Sequence, residues 1–145
     1  MQHPSQESPN SVRFEFQNWS VYQKALDFVV EAYKLCENLP ATSANGLRDQ
    51  LRRASQSVPL NIAEGCSRWS KKDKANFWRV AKGSVFECVA LLDVIERLKL
   101  VEADFDTLQD GLVSIGKMLS GLIRFIEKEG ESRNARAATP PIGYG

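Results

Sequence analysis

Residues 50–87 read QLRRASQSVPLNIAEGCSRWSKKDKANFWRVAKGSVFE. This stretch decides the fold. Leu51, Ala54, Val58, Ile62 and Cys66 recur at helical spacing, and Leu47 extends the line backwards, so a helix runs from about Asn45 to Arg68. Pro59 falls inside it. Proline has no amide for the Ser55 carbonyl and crowds that turn, so a kink near Ser55 to Val58 is expected, with the apolar register carried through it. Ser70, with Asp73 at the third position, caps a further helix to about Lys99. Its inward line is Phe77, Val80, Ala81, Ser84, Cys88, Leu91, Ile95 and Leu98. Trp78, Val85, Val89 and Leu92 make a second apolar line beside it.

Working outward, Ser20 with Gln23 forms a capping box that opens a first helix, and Pro40 closes it. The apolar positions of that helix, among them Phe28 and Leu35, cover about half the circumference, wider than the ~100° stripe of a simple surface helix. Either two neighbours flank it or a second copy of the chain does. A fourth helix starts near Asp104 or Asp106, carries Phe105, Leu108, Leu112, Ile115, Leu119, Leu122, Ile123 and Ile126, and stops at Gly130. Connections at about 40–45, 69–70 and 100–104 are short, which favours antiparallel neighbours. The fold class expected is all-α: an antiparallel up-down-up-down four-helix bundle over 19–130 with a proline-kinked second helix. Residues 1–18 and 131–145, polar and proline-bearing, read as flexible tails. Wide apolar faces on the first and third helices point to sister copies side by side.

Antiparallel packing about Trp69–Ser70 sets residues of the second and third helices level with one another. Glu87 falls beside Arg52 and Arg53, Ser84 beside Ser55, and Asn61 beside Trp78. Glu87 is then expected to pair with an arginine. Ala54, Ser55, Gly83 and Ser84 are small and allow close approach. Asn61 and Glu64 are expected to satisfy backbone or hydroxyl groups near the proline rather than face solvent, because a buried polar group needs a partner. Asn61, Glu64, Ser84 and Glu87 together read as a structural polar network.

At 145 residues the chain holds one domain with a core of its own. Net charge is +1, but its distribution is uneven: nine Lys/Arg face three Asp/Glu between Arg48 and Lys82, and ten face fifteen elsewhere. Such segregation can hold an anionic partner against one face. Cys36, Cys66 and Cys88 have no metal-like spacing and sit among apolar residues, so they read as buried free thiols in a reducing compartment. The N-terminus has no apolar run of a signal peptide, and no apolar span approaches the ~20 residues of a membrane helix, so a cytoplasmic protein with no membrane contact is expected. The sole histidine is His3. That removes the Glu-x-x-His pairs of a di-iron bundle, a Cys–His nucleophile and a Ser–His–Asp relay. With no glycine-rich phosphate loop either, the expectation is no enzyme, no metal and no cofactor.

The outward basic candidates are Arg48, Arg52, Lys71, Lys72, Lys74, Arg79 and Lys82; Arg53 and Arg68 join them as RNA-binding candidates, although their spacing does not fix which way they face. Within SRWSKKDK an indole sits among positive charges, the mixture that binds phosphates and stacks bases. The alternative is a solvated turn with Trp69 packing the bundle end. The letters also carry a resemblance. Gln50 to Ala54 (QLRRA), Ser57 to Gly65 (SVPLNIAEG) and Gly83 to Glu87 (GSVFE) resemble the signature of the four-helix-bundle family encoded in intervening sequences of bacterial large-subunit ribosomal RNA genes. NWSVYQKALDFVVEAYKL resembles that family's first helix, and the likeness covers about Phe16 to Gly130, departing from the pattern at Cys66 and Trp69. The resemblance implies a bundle similar to the accessory protein of diversity-generating retroelements, a pentameric ring that works with a reverse transcriptase and RNA. It therefore implies a homo-oligomer, a pentamer, with RNA or a nucleic-acid-processing protein as partner. Two functions follow: an RNA-binding module using the basic face, or an assembly protein whose ring docks another protein without nucleic acid.

Overall fold

The structure is a computed structural model that describes residues 13–41 and 45–138. His3, residues 1–12 and 139–145 of the expected tails and part of the first connection lie outside the described residues. The described residues form four α-helices: α1 (Ser20–Glu37), α2 (Asn45–Cys66), α3 (Lys71–Arg97) and α4 (Phe105–Ala138). A 3-10 turn at Glu15–Asn18 precedes α1. No strand occurs among the described residues.

The ends of the helices follow their caps, with two corrections. Ser70 Oγ accepts from the Asp73 amide at 3.0 Å, as expected at the start of α3. Asp104 opens α4 by accepting from the Thr107 amide at 3.1 Å and the Thr107 hydroxyl at 2.7 Å. Those two bonds hold its carboxyl below the usual range. The Ser20–Gln23 box does not form. The cap of α1 is Trp19 in extended conformation, and Gln23 Nε2 instead donates to the Gln17 carbonyl at 2.7 Å. That bond fastens the 3-10 turn to α1, so ordered chain begins earlier than expected: Phe16 meets Tyr22 edge-on at 5.1 Å. Gly130 does not end α4 either. A glycine stops a helix by taking a left-handed φ, and no described glycine has one. The left-handed residue is Lys99, φ 54°, in the turn after α3.

Each helix packs on two others: α1 and α3 both lie between α2 and α4. Cross-helix bonds between α2 and α3 join Gln50 to Glu87, Ser57 to Ser84 and Ile62 to Trp78. Residue numbers fall on one helix as they rise on the other, so these two run in opposite directions. The doubled neighbours use up the wide apolar faces. Phe28, Leu35 and Val85 are only 5%, 5% and 3% exposed within one chain, and Val89 is half-buried. The reason given from sequence for sister copies therefore falls away for those residues. Val80 and Leu98, placed on the inward line of α3, are instead exposed.

α2 continues through Pro59 without a break, and Pro59 is itself buried. Near its end α2 comes very close to α3. The Trp78 indole lies flat enough on Gly65 that a Cβ there would stand 2.4 Å from Nε1 and 2.7 Å from Cδ1. Trp78 Nε1 donates to the Ile62 carbonyl at 3.2 Å, and its ring packs against Trp19 at 6.1 Å. Ala75, Trp78, Ile123 and Ile126 close this end of the core as a small cluster beside the main one.

Candidate nucleic-acid interface

The α2–α3 turn is held from both sides. Lys74 Nζ reaches back to the carbonyls of Cys66 (3.1 Å) and Gly65 (3.5 Å), where α2 leaves acceptors without amide partners. Ser67 Oγ donates to the Glu64 carbonyl at 2.7 Å. Between this cap and the Ser70 cap stands Trp69, 99% exposed. It does not pack the bundle end. An indole wholly in water, on a turn fixed at both sides, is the outlier of this surface.

The predicted basic residues divide. Arg48 and Lys74 are not free surface cations. Arg48 caps α1, its Nε donating to the Cys36 carbonyl at 3.1 Å and its Nη2 to the Leu39 carbonyl at 2.5 Å. Arg52 turns toward α1, with its guanidinium 5.4 Å from the Tyr33 ring centre and Nε buried without a partner. Arg68 pairs with Glu64 at 3.3 Å and lies 4.5 Å from the Phe77 ring centre. Lys71 pairs with Glu129 at 2.9 Å, and Arg79 with Glu127. Lys82 sits over Phe86 at 5.8 Å. Arg53 is exposed on the α2–α3 side, beside Ser57 and Glu87. Lys72 is exposed and makes no ion pair among the described residues.

The spacing 72, 79, 82 and 86 keeps Lys72, Arg79, Lys82 and Phe86 on one side of α3. There α4 adds Lys117 and Arg124, which line a groove with Lys82, Phe86 and Val113; no acidic side chain lines it. Neither Lys117 nor Arg124 makes an ion pair among the described residues. The sequence reading missed both, because it counted charge along the chain and these two come from a helix more than thirty residues away. Heptad spacing of Lys117 and Arg124 on α4 was the signal available.

The polar network forms in altered pairings. Asn61 Nδ2 donates to the Ser57 carbonyl at 2.8 Å and to Ser57 Oγ at 2.9 Å. The Ser84 hydroxyl has the Ser57 Oγ at 2.7 Å and the Val80 carbonyl at 3.1 Å. Glu87 accepts from Gln50 at 3.3 Å rather than from an arginine, since Arg52 has turned away and Arg53 points outward. Glu64 faces solvent with Arg68, contrary to expectation: it lies where α2 frays into the turn. Gly83 is exposed, with nothing within 4 Å of a Cβ placed there, so it takes no part in the close approach. Ala54, Ser55 and Ser84 are the small residues buried at that contact.

Burial raises all three thiols, Cys88 to about 12. Cys36 and Cys88 are buried and Cys66 half-buried. Among the described residues no three His, Cys, Asp or Glu side chains gather to hold a metal ion, and no helix is long and apolar enough to cross a membrane.

A family profile described as "23S rRNA-intervening sequence protein" matches residues 17–121. A crystal structure from Bacteroides thetaiotaomicron, titled as a protein with unknown function from the S23 ribosomal protein family, is similar in fold with a TM-score of 0.66. The two chains are 23% identical, and the likeness covers 71% of this chain and 97% of the other. No curated protein matches the sequence.

Proposed function

We propose, from the premise that this chain belongs to the 23S rRNA-intervening sequence protein family, that it is a non-enzymatic protein binding single-stranded RNA. The contact surface is the outward side of α3 and α4, running from the α2–α3 turn to Phe86. The observation that carries this reading is Trp69, 99% exposed and fixed between two caps. Lys72, Lys82, Lys117 and Arg124 lie along the same side without ion partners among the described residues. Such cations would meet phosphates, while a free indole offers a face to an unstacked base. Four cations imply a slope of log K against log salt of about −3, at ~0.7 per phosphate contacted on a single strand.

The test is fluorescence anisotropy of a labelled single-stranded RNA across a salt series. Binding is expected at low salt with that slope, shallower by about 0.7 in Lys117→Gln. Trp69→Ala is expected to weaken binding at least fivefold, the lower end of ~1–3 kcal/mol per stacked base, with the slope unchanged. Absence of binding at low salt refutes the reading.

The homo-oligomer belongs to the same proposal on a different footing from the faces first considered. Leu60 on α2 and Val80 on α3 stand exposed, and Val80 lies about 160° around α3 from Lys82, so a second copy covering these two would leave the Lys82 groove open. Sedimentation equilibrium of the wild type against Leu60→Asp with Val80→Asp tests it: assembly is expected in the first and a monomer in the second.

A further inference from the structure

A pocket of about 410 Å3 opens at the bundle end that carries the α2–α3 turn. Five aromatic rings line it: Phe14, Phe16, Trp19, Trp78 and Phe125. Trp78 is its buried floor, whereas Phe14 and Phe125 are 74% and 59% exposed and stand at the mouth. A merely structural end cap would bury those two rings. Phe14 stacks on Phe16 at 6.0 Å with planes 12° apart, and Phe16 is held in turn by its edge-on contact with Tyr22, so Phe14 is the more open of the two.

Two charged groups share the lining. The Lys74 ammonium is fixed there by its bonds to α2 carbonyls. The Glu15 carboxylate lies on the opposite chain segment, near enough to Cys66 to add to the effect of burial on that thiol. No hydrogen bond or ion pair among the described residues occupies Glu15. Aromatic rings with a carboxylate also suit a methylated ammonium, but the ammonium of Lys74 repels a cation from the same space. A flat, neutral, amine-bearing ring meets both conditions.

We infer that this pocket receives one unpaired nucleobase of single-stranded RNA, stacked on the aromatic rings and donating an exocyclic amine to Glu15. The inference rests on the RNA reading above and adds a base site to it. Cys66 and Lys74 line the pocket within a few residues of Trp69, so a strand bound along α3 and α4 reaches it at the turn. Adenine and cytosine carry an exocyclic amine and uracil does not, which gives the site a preference.

The experiment uses the full chain with equal-length A, C and U oligoribonucleotides and with the free monophosphates AMP, CMP and UMP, at one fixed salt. The A and C strands are expected to bind about fivefold more tightly than U. Glu15→Gln is expected to narrow that gap. Phe14→Ala and Phe125→Ala, at exposed positions that leave the core untouched, are expected to lose about tenfold while the salt slope stays the same. If all three strands bind equally and neither Phe variant changes the affinity, the base site is refuted while RNA binding stands. If the monophosphates bind and the strands do not, the assignment to RNA is overturned. If nothing binds, the RNA reading fails and this inference fails with it.

Discussion

Gly65→Ala puts a methyl where α2 and α3 come closest. Its Cβ would lie 2.4 Å from Trp78 Nε1, 2.7 Å from Cδ1 and 3.1 Å from the Lys74 carbonyl. The indole is held in place: it is 3% exposed, bonded to the Ile62 carbonyl and packed on Trp19. Overpacking of this kind costs about 1–3 kcal/mol, and here the upper end applies because the neighbour is a fixed ring. Displacing the ring also loses its hydrogen bond, about 1 kcal/mol. Against these stands a gain of about 1 kcal/mol, since alanine is the better helix former. The net is a loss of about 3 kcal/mol, or a fall of about 10 °C in midpoint temperature. Gly83→Ala is the matched control, an exposed helical glycine with open space around it. There the propensity term acts alone and stability should rise by about 0.5–1 kcal/mol. Thermal and urea unfolding followed by circular dichroism would measure both. Equal effects at the two glycines would refute the close approach. Trp78→Leu sharpens the test, because the penalty at Gly65 should shrink in that background.

Arg48→Gln should lower stability by about 1–2 kcal/mol in the same assay, since two α1 carbonyls lose a charged donor, while leaving RNA affinity unchanged. Cys88 makes stability pH-dependent. Its thiol is pushed to about 12 by burial, so above the unfolded value of ~8.5 the native state retains a proton that the unfolded chain has lost. Its contribution is complete below that value and declines by about 1.4 kcal/mol per pH unit toward 12. Urea unfolding at pH 8 and pH 10 should show a steeper loss in the wild type than in Cys88→Ala.

The helices were legible because their signals are local. The inward lines of Leu51, Val58 and Ile62 on α2 and of Leu112, Ile115 and Leu119 on α4 repeat with the helical period and are buried as that period requires. Ser70 and Asp104 announce their caps within three residues. What escaped depends on distance across the bundle. Arg48 and Lys74 look like surface cations in a string of letters, and only the approach of a neighbouring helix end makes them caps. Gly65 and Gly83 look alike, yet one meets a tryptophan and the other meets water. Pairing residues about the Trp69–Ser70 turn gives the run of α2 against α3 but not the individual partners, so Glu87 meets Gln50 and Ser84 meets Ser57. Trp69 does not pack the bundle end, and its exposure could be told only from the placement of the helices around the turn.

α4 outlasts the bundle that supports it. Up to Ile126 its side chains enter the core; from Glu131 to Arg136 they are all exposed, although the helix runs on to Ala138. A segment that short cannot sustain itself as an isolated helix, because nucleation outweighs the few bonds it adds. Its amides borrow their order from the turns below. One uninterrupted rod thus spans the whole range of local opening, from protons that leave only when the entire fold dissolves to protons that trade with water almost freely.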